Sequence, residues 1–304
     1  MYIVKHRNIF FWITGAIALA SLASIFVFGL KLGLDFTGGT LVQATYENGR
    51  PAPAALAQSL DAAGLRGYSL REANTNDYVL RARNLTAEER ANLPAVLSVG
   101  GSNPATISHL TEVGPTIGLE LRNKAIIALA LVLLCILLFI AFAFRKVSEP
   151  VSSWRYGLIA LATLCFDVIV PVGFFAFLGY LVGIQVDALF VTAVLTILGY
   201  SIHDTIVVFD RTRENLQINK ERNRKEDFSE TAGRALGQTL VRSANTSLTT
   251  ALVLLLLFIL GPESTRYFAL TLLVGILAGT YSSIFLATPL LVAAERWHAK
   301  RKKK

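Results

Sequence analysis

Ionisable side chains set inside long apolar runs are where this sequence could do chemistry. A charge in hydrocarbon is costly and is kept where it performs a task. Asp204 stands within Gly199-Tyr200-Ser201-Ile202-His203-Asp204-Thr205, deep in one such run. Helical spacing puts Tyr200 and Ser201, four and three residues earlier, on its face. A carboxylate stripped of bulk water that still exchanges protons is what a proton relay requires. The plainer role is a structural hydrogen bond. Arg242 opens another apolar run and is followed by Ser243, Asn245, Thr246, Ser247, Thr249 and Thr250. A guanidinium stays charged inside proteins, so it needs an anion, for which Asp204 is the best candidate. The alternative is snorkelling to the membrane interface. Asp167, four residues before Pro171, marks either a broken or kinked helix at a pathway or an interfacial position. His203 adjoins Asp204 but points about 100° away on a helix. Its imidazole suits a proton shuttle and packing against another helix equally. Gly275 and Gly279 have the spacing that lets two helices approach closely, with Ser282 and Ser283 just beyond.

The elements that must position these groups follow from composition. Of 304 residues, 53% are hydrophobic and 16% charged, and the mean hydropathy is +0.53. Crossing the hydrocarbon takes about 20 apolar residues as a helix. Six runs qualify, at 9–30, 124–144, 156–181, 186–209, 246–260 and 267–292. The fifth is short unless it begins near Leu240, which places Arg242 at membrane depth. The first has a basic start in Lys5 and Arg7, but its hydrophobicity continues through Val27 and Phe28. A signal peptide's apolar core is about 7–15 residues, so an uncleaved anchor is expected.

Lys and Arg in short loops set the orientation. With the N-terminus inside, 18 of the 29 Lys and Arg residues fall in inner segments. Lys5, Arg7, Arg145, Lys146 and Arg155 are among them, as are Lys220, Arg222, Arg224 and Lys225 between the fourth and fifth spans. So is a tail containing Arg296, Lys300, Arg301, Lys302, Lys303 and Lys304. The outer stretch 32–121 holds six Arg against nine acidic residues. The net charge of +8 is therefore a topology signal and not a nucleic-acid footprint. A multi-pass protein of the inner (plasma) membrane is expected, with both termini cytoplasmic and its spans in the lipid bilayer. The lysine tail has a secondary reading as a contact for anionic lipid or a ribosome.

Between the first two spans the composition turns mixed. Strand patterns at 38–46, 66–73, 77–83 and 105–113 alternate with helices at 53–63 and from the Thr86/Glu89 capping-box pair to about Val99. Asn74, Thr75 and Asn76 signal the hairpin turn. The order βαββαβ is the ferredoxin-like arrangement. The expected fold is thus a polytopic α-helical membrane protein, with six transmembrane helices and one ferredoxin-like α+β extracytoplasmic domain between helices 1 and 2. Its segments are 1–30, the first span; 31–122, the outer domain; 123–295, the remaining spans; and 296–304, a basic tail. Cys135 and Cys165 lie in apolar runs as small hydrophobes. The four His are scattered without metal-ligand spacing. His109 is a lone strand residue suited to packing. No nucleophile–base set, nucleotide loop or metal cluster is present in the sequence, so an enzyme is the least favoured class and no cofactor is expected.

Five ordered motifs carry a resemblance. LGLDFTGGT at 32–40 follows the first span, and VGPTIGLEL at 113–121 precedes the second. GYSIHDTIVVFDRTREN fills 199–215, QTLVRSANTSLTT fills 238–250, and GTYSSIFLATPL fills 279–290. Together they resemble the SecF family of bacterial SecD–SecF export complexes, in the resistance-nodulation-division superfamily, nearly end to end. The resemblance implies a partner SecD, the SecYEG channel, YidC/YajC-type subunits and a translocating preprotein. It implies that the proton-motive force draws preproteins outward after SecA has pushed them in. The family's essential transmembrane Asp matches Asp204 and its essential Arg matches Arg242. Its motif and hinge positions match Gly33, Asp35, Phe36, Gly38 and Gly39, then Gly114 and Pro115, then Gly199, Tyr200, Asp210 and Arg211. Three positions depart. His203 stands where the family usually has Asn, Phe166 where it often has His, and Gly237 where it has Asn. An imidazole has in effect moved from one helix to another, which leaves the detailed proton path open.

The mechanism expected from these residues has protons reaching Asp204, which pairs with Arg242 when ionised and releases it when protonated. Movement of the spans then passes through 34–40 and 113–121, where Gly33, Gly38, Gly39, Gly114 and Gly118 leave the joints permissive. A carboxylate with nearby hydroxyls suits a proton or sodium equally, so the coupling ion stays open. Two rival classes remain. One is half of a small-molecule efflux pump of the same superfamily, for which the outer domain is small. The other is a non-transporting scaffold of the channel, in which Asp204 is neutralised without effect.

Overall fold

A computed structural model describes residues 2–73, 75–145 and 152–302. Asn74 of the expected turn, Lys146 of the first inner loop, and Lys303 and Lys304 of the tail lie outside the described residues. Two compact units emerge: Leu32–Ile126, and the segments on either side of it.

Among the described residues six helices are long and apolar enough to cross a membrane. A short helix α1 (Tyr2–Lys5) precedes α2 (Arg7–Phe28), the first span. The smaller unit follows, with α3 (Leu34–Thr37), β1 (Gly39–Tyr46), α4 (Pro53–Ala62), β2 (Ser69–Glu72), β3 (Asp77–Ala82), α5 (Ala87–Leu97) and β4 (Ala105–Val113). The chain then runs through α6 (Pro115–Ala143), α7 (Ser153–Leu181), α8 (Ala188–Glu221), α9 (Phe228–Leu260) and α10 (Glu263–Ser282). A π-helical turn (Ser283–Ala287) joins α10 to α11 (Thr288–Lys302).

Apart from α3, the smaller unit has the expected element order. Its four strands pair antiparallel in the order β2-β3-β1-β4. Alternate residues of β1, namely Val42, Ala44 and Tyr46, face a core with Tyr78, Leu80, Leu56, Leu60, Leu93 and Leu97, as a strand with one buried face requires. The two tyrosines meet edge to face at 5.9 Å. The Tyr46 hydroxyl donates to the Leu97 carbonyl at 3.0 Å, and burial pushes its pKa up to about 12. The capping box forms as expected: Glu89 N donates to Thr86 Oγ1 at 3.2 Å, and Thr86 N donates to Glu89 Oε2 at 2.8 Å. Gly38 (φ +70°) and Gly39 (φ +124°) turn the chain into β1 with no room for a side chain. A Cβ would stand 2.8 Å from Pro115 Cα at Gly38 and 2.5 Å from Ala82 O at Gly39. The motif is therefore a packed corner. Neither Gly33 nor Gly114 has a positive φ, and a Cβ at Gly114 would meet only Ile117 Cδ1, at an ordinary 3.8 Å.

The spans start or end beyond the apolar runs. α8 extends from the expected 209 to Glu221, and α9 begins at Phe228 instead of 246 or 240. Hydropathy marks only the lipid-crossing part of a helix. Polar helix formers continue it where side chains pair across helices. Between α8 and α9, Asn219 Nδ2 donates to Thr231 Oγ1 at 3.0 Å and to Glu226 Oε2 at 2.6 Å. Arg234 also donates to Glu226, at 2.6 Å. Burial raises the pKa of Glu226, but the bonds from Asn219 and Thr231 and the charges of Arg234 and Arg224 outweigh it and hold the carboxyl below its ordinary range. α7 runs helically through Pro171, so of the break and the kink only the break is ruled out.

Packing around α7 and α8 sets the bundle. Phe144 stacks on Tyr156 at 5.1 Å, and Tyr156 meets Phe209 edge to face at 5.2 Å. Gly173 of α7 admits the α2 backbone so closely that a Cβ would lie 2.5 Å from Ser21 O. The sixth span is interrupted by the π turn, which the expected continuous run at 267–292 does not anticipate. The extra residue in that turn aims Ser283 at Thr205 of α8, their hydroxyls 2.9 Å apart.

Candidate functional site

The site is a polar seam inside the bundle, built from α7, α8, α9 and α10. Asp204 of α8 is 5% exposed. Its carboxylate accepts from Ser247 Oγ of α9 at 3.4 Å, and Ser247 in turn lies 2.6 Å from Thr280 Oγ1 of α10. Asp167 of α7 is fully buried and accepts from Ser201 Oγ of α8. Its second oxygen, Oδ1, has no hydrogen-bond partner among the described residues. Ser201 and Asp204 are one turn apart on α8, so one helix carries both halves of the seam. Gly279 of α10 sits directly over Ser201, where a Cβ would come within 2.6 Å of its hydroxyl.

Several expectations need correction. Ser201 shares the α8 face with Asp204, but its hydroxyl goes across to Asp167. Tyr200 turns towards α9, its hydroxyl 3.1 Å from Thr250 Oγ1 and 3.2 Å from the Thr246 carbonyl. The expected Asp204–Arg242 ion pair is not formed among the described residues. Ser243 and Ser247, four apart on α9, occupy the face turned to α8 and are buried, whereas Arg242 is rotated onto an exposed face. The basic side chain that comes within 4 Å of the Asp204 carboxylate among the described residues is a histidine. His203 Nδ1 lies 3.9 Å from Asp204 Oδ1, while its side chain is 62% exposed. Adjacency in sequence, not a shared face, brings the two together.

The remaining motif residues are distributed more widely. Gly199 has open space around it. Asp210 lies 3.9 Å from Arg213 on an exposed surface. Arg211 bonds Gln238 Oε1 at 2.7 Å, and Asn215 reaches the same oxygen at 3.0 Å. These residues tie α8 to α9 beyond the seam. Phe36 is buried in the smaller unit, and Asp35 stands in the first turn of α3. Sequence reasoning missed Thr205 and Thr280, because single hydroxyls in apolar helices usually bond their own backbone. It also missed the Asn219–Glu226–Thr231–Arg234 network. The four-residue spacing of Asn215 and Asn219 was a usable signal for the α9-facing side of α8.

Six apolar helices around buried carboxylates and hydroxyls, with a separate small α+β unit, define a multi-pass membrane protein of the transport class. The family described as "Protein export membrane protein SecD/SecF, C-terminal" matches residues 97–297, and the "SecD/SecF GG Motif" matches residues 23–49. The protein translocase subunit SecF of Thermobaculum terrenum is 42% identical, over 96% of this chain and 93% of its own length. That of Pseudomonas aeruginosa is 34% identical, over 94% and 89%. Among solved structures, SecDF of Thermus thermophilus, a translocon-associated membrane protein, is 31% identical with a TM-score of 0.81. That match covers 97% of this chain and 39% of the SecDF chain. The chain belongs to the SecF family of protein translocase subunits.

Proposed function

We propose that this chain is a proton-motive-force-coupled accessory subunit of the Sec protein-export machinery. It acts with SecD at the SecYEG channel on late preprotein translocation, and Asp204 is its ion carrier. It lies in the inner membrane with both termini cytoplasmic, and its small unit is a ferredoxin-like domain on the outer face. SecD is the expected partner because the similar SecDF chain is more than twice as long as the part this chain matches.

The observation that carries the reading is the placement of Asp204. It is buried on α8, meets α9 through Ser247 and, through Ser247, Thr280 of α10. A change in its charge is therefore felt at once by three packed helices. One charge crossing the membrane potential supplies about 2.3 kcal/mol per 100 mV. Shifting a two-state bundle from 1:99 to 99:1 takes about 5.5 kcal/mol, so a few protons per cycle suffice. Asp167 is a second station, reached along α8 through Ser201, and exposed His203 offers access from the bundle surface. In this arrangement Arg242 is turned away. Ionised Asp204 draws it in, and protonation releases it. Hydroxyls around a carboxylate also suit sodium, so the imposed ion is part of the test.

The experiment measures release of a secreted protein from membrane vesicles containing this chain and its native partners. An imposed proton gradient, then a sodium gradient, is compared for wild type and Asp204→Asn. Loss of gradient-stimulated release with the complex still assembled supports the proposal. Unchanged release identifies a scaffold and reduces Asp204 to a structural hydrogen bond.

A further inference from the structure

Outside the seam, the termini meet in a pocket that none of the above explains. Ile3 and Val4 of α1 are buried in the bundle, Ile3 with Val208, Leu236 and Ile284 and Val4 in the cluster of Phe144 and Leu291. With α1 anchored this way, the chain must turn at His6 before α2 begins. That turn brings Lys5, His6, Arg7 and Asn8 beside Arg296 of α11 around a pocket of about 370 Å³. The side chains of Lys5, Arg7 and Arg296 make no hydrogen bond or ion pair among the described residues. Three uncompensated cations from two ends of the chain are thus held at the mouth of one concavity.

Val4 and Ile9 are the apolar lining of the pocket, beside polar His6 and Asn8. Ile9 of α2 lines it and is 51% exposed. Ile13 and Ile17 follow at four-residue spacing, 43% and 36% exposed. These three make a stripe leading from the cations along the surface of a membrane span. Trp12 and Trp297, 81% and 55% exposed, flank the site on α2 and α11. Indole rings favour the headgroup level of a bilayer. A negative headgroup at the mouth with an acyl chain along the isoleucines satisfies both halves.

We infer that the Lys5–Arg7–Arg296 pocket binds the headgroup of an anionic phospholipid, with one acyl chain lying on Ile9, Ile13 and Ile17. Free phosphate would use the cations and leave the stripe idle. Basic pockets between spans on the cytoplasmic side are suited to phosphate-bearing headgroups. The inference rests on reading this end as cytoplasmic, but its test does not involve export.

The test uses the full-length purified chain and native mass spectrometry. The probes are phosphatidylglycerol and phosphatidylcholine of identical acyl chains, with inorganic phosphate as competitor. Wild type should retain phosphatidylglycerol over phosphatidylcholine. Arg296→Gln, which leaves the N-terminal topology charges intact, should lower that retention about fivefold, and Lys5→Gln/Arg7→Gln/Arg296→Gln about a hundredfold. Arg222→Gln/Arg224→Gln/Lys225→Gln, removing equal charge from the α8–α9 loop, should leave it unchanged. Helicity by circular dichroism identifies a misfolded triple variant, in which case Arg296→Gln decides. Equal retention of phosphatidylcholine, an equal loss in the loop variant, or displacement by inorganic phosphate at matched concentration would each overturn the proposal.

Discussion

Asp167 and Ser201 join α7 to α8 through a buried hydrogen bond, and its energetics belong to these two side chains. A buried carboxylate that loses a donor is left with the full cost of its desolvation, about 1–3 kcal/mol or more for a charged group. Ser201→Ala is therefore expected to lower the unfolding free energy of the chain in detergent by about that amount. Ser201→Ala combined with Asp167→Asn should recover part of the loss, because the charge is gone. A denaturant titration of the three variants checks this. Equal stability of wild type and Ser201→Ala would show that the hydroxyl is not the donor Asp167 depends on. Arg242 was legible as a cation needing an anion, but its rotation away from Asp204 was not. Ser243 and Ser247 take the inward face, and one residue of helical phase moves the guanidinium to the surface.

At the scale of elements, α10 reaches α8 through two glycines that are not equivalent. A Cβ at Gly275 would meet Ile197 Cδ1 at 2.1 Å, Cγ1 at 2.4 Å and Cγ2 at 3.0 Å, a β-branched side chain with little freedom to swing aside. A Cβ at Gly279 would meet Ser201 Oγ at 2.6 Å and Cβ at 2.8 Å, atoms close to the α8 backbone. Gly275→Ala and Gly279→Ala should therefore each cost about 1–3 kcal/mol for overpacking, but Gly279→Ala, which displaces Ser201, should weaken gradient-stimulated release more. Thermal unfolding and the vesicle assay on the two variants check the order. A larger loss of release at Gly275 would mean that Ile197, not Ser201, is the contact through which α10 bears on the seam. The glycine spacing was visible in the sequence as a packing device. That it bears on the seam depends on which residue lies opposite, and spacing cannot supply that.

The whole molecule consists of two units with separate cores. The smaller buries Tyr46, Tyr78 and a set of leucines with no help from the spans. Residues 32–126, made without the rest of the chain, are expected to unfold cooperatively in urea. Tyr46→Phe should lower that stability by about 1–2 kcal/mol, because the buried Leu97 carbonyl loses its donor. A broad, non-cooperative transition would show that this unit depends on the bundle. If 32–126 folds alone, the bundle can change arrangement without unfolding it, as the proposed export mechanism requires.

The sequence by itself determined the class of the protein. Six apolar runs, the Lys and Arg distribution, the alternating strands and the capping box each report a local balance: transfer into hydrocarbon, charge at an interface, or a hydrogen bond three residues away. Such balances are set by neighbours along the chain, so spans, strands and Asp204 as a buried carboxylate could all be read directly. Tertiary structure alone decided the pairings. Ser201 serves Asp167 and not Asp204, Arg242 stands outside the seam, α8 and α9 continue past their apolar ends, and the two termini converge on one pocket. Each outcome depends on the rotational phase of one helix against another. That phase is fixed by side-chain packing summed over whole helices, and no single stretch of sequence contains it.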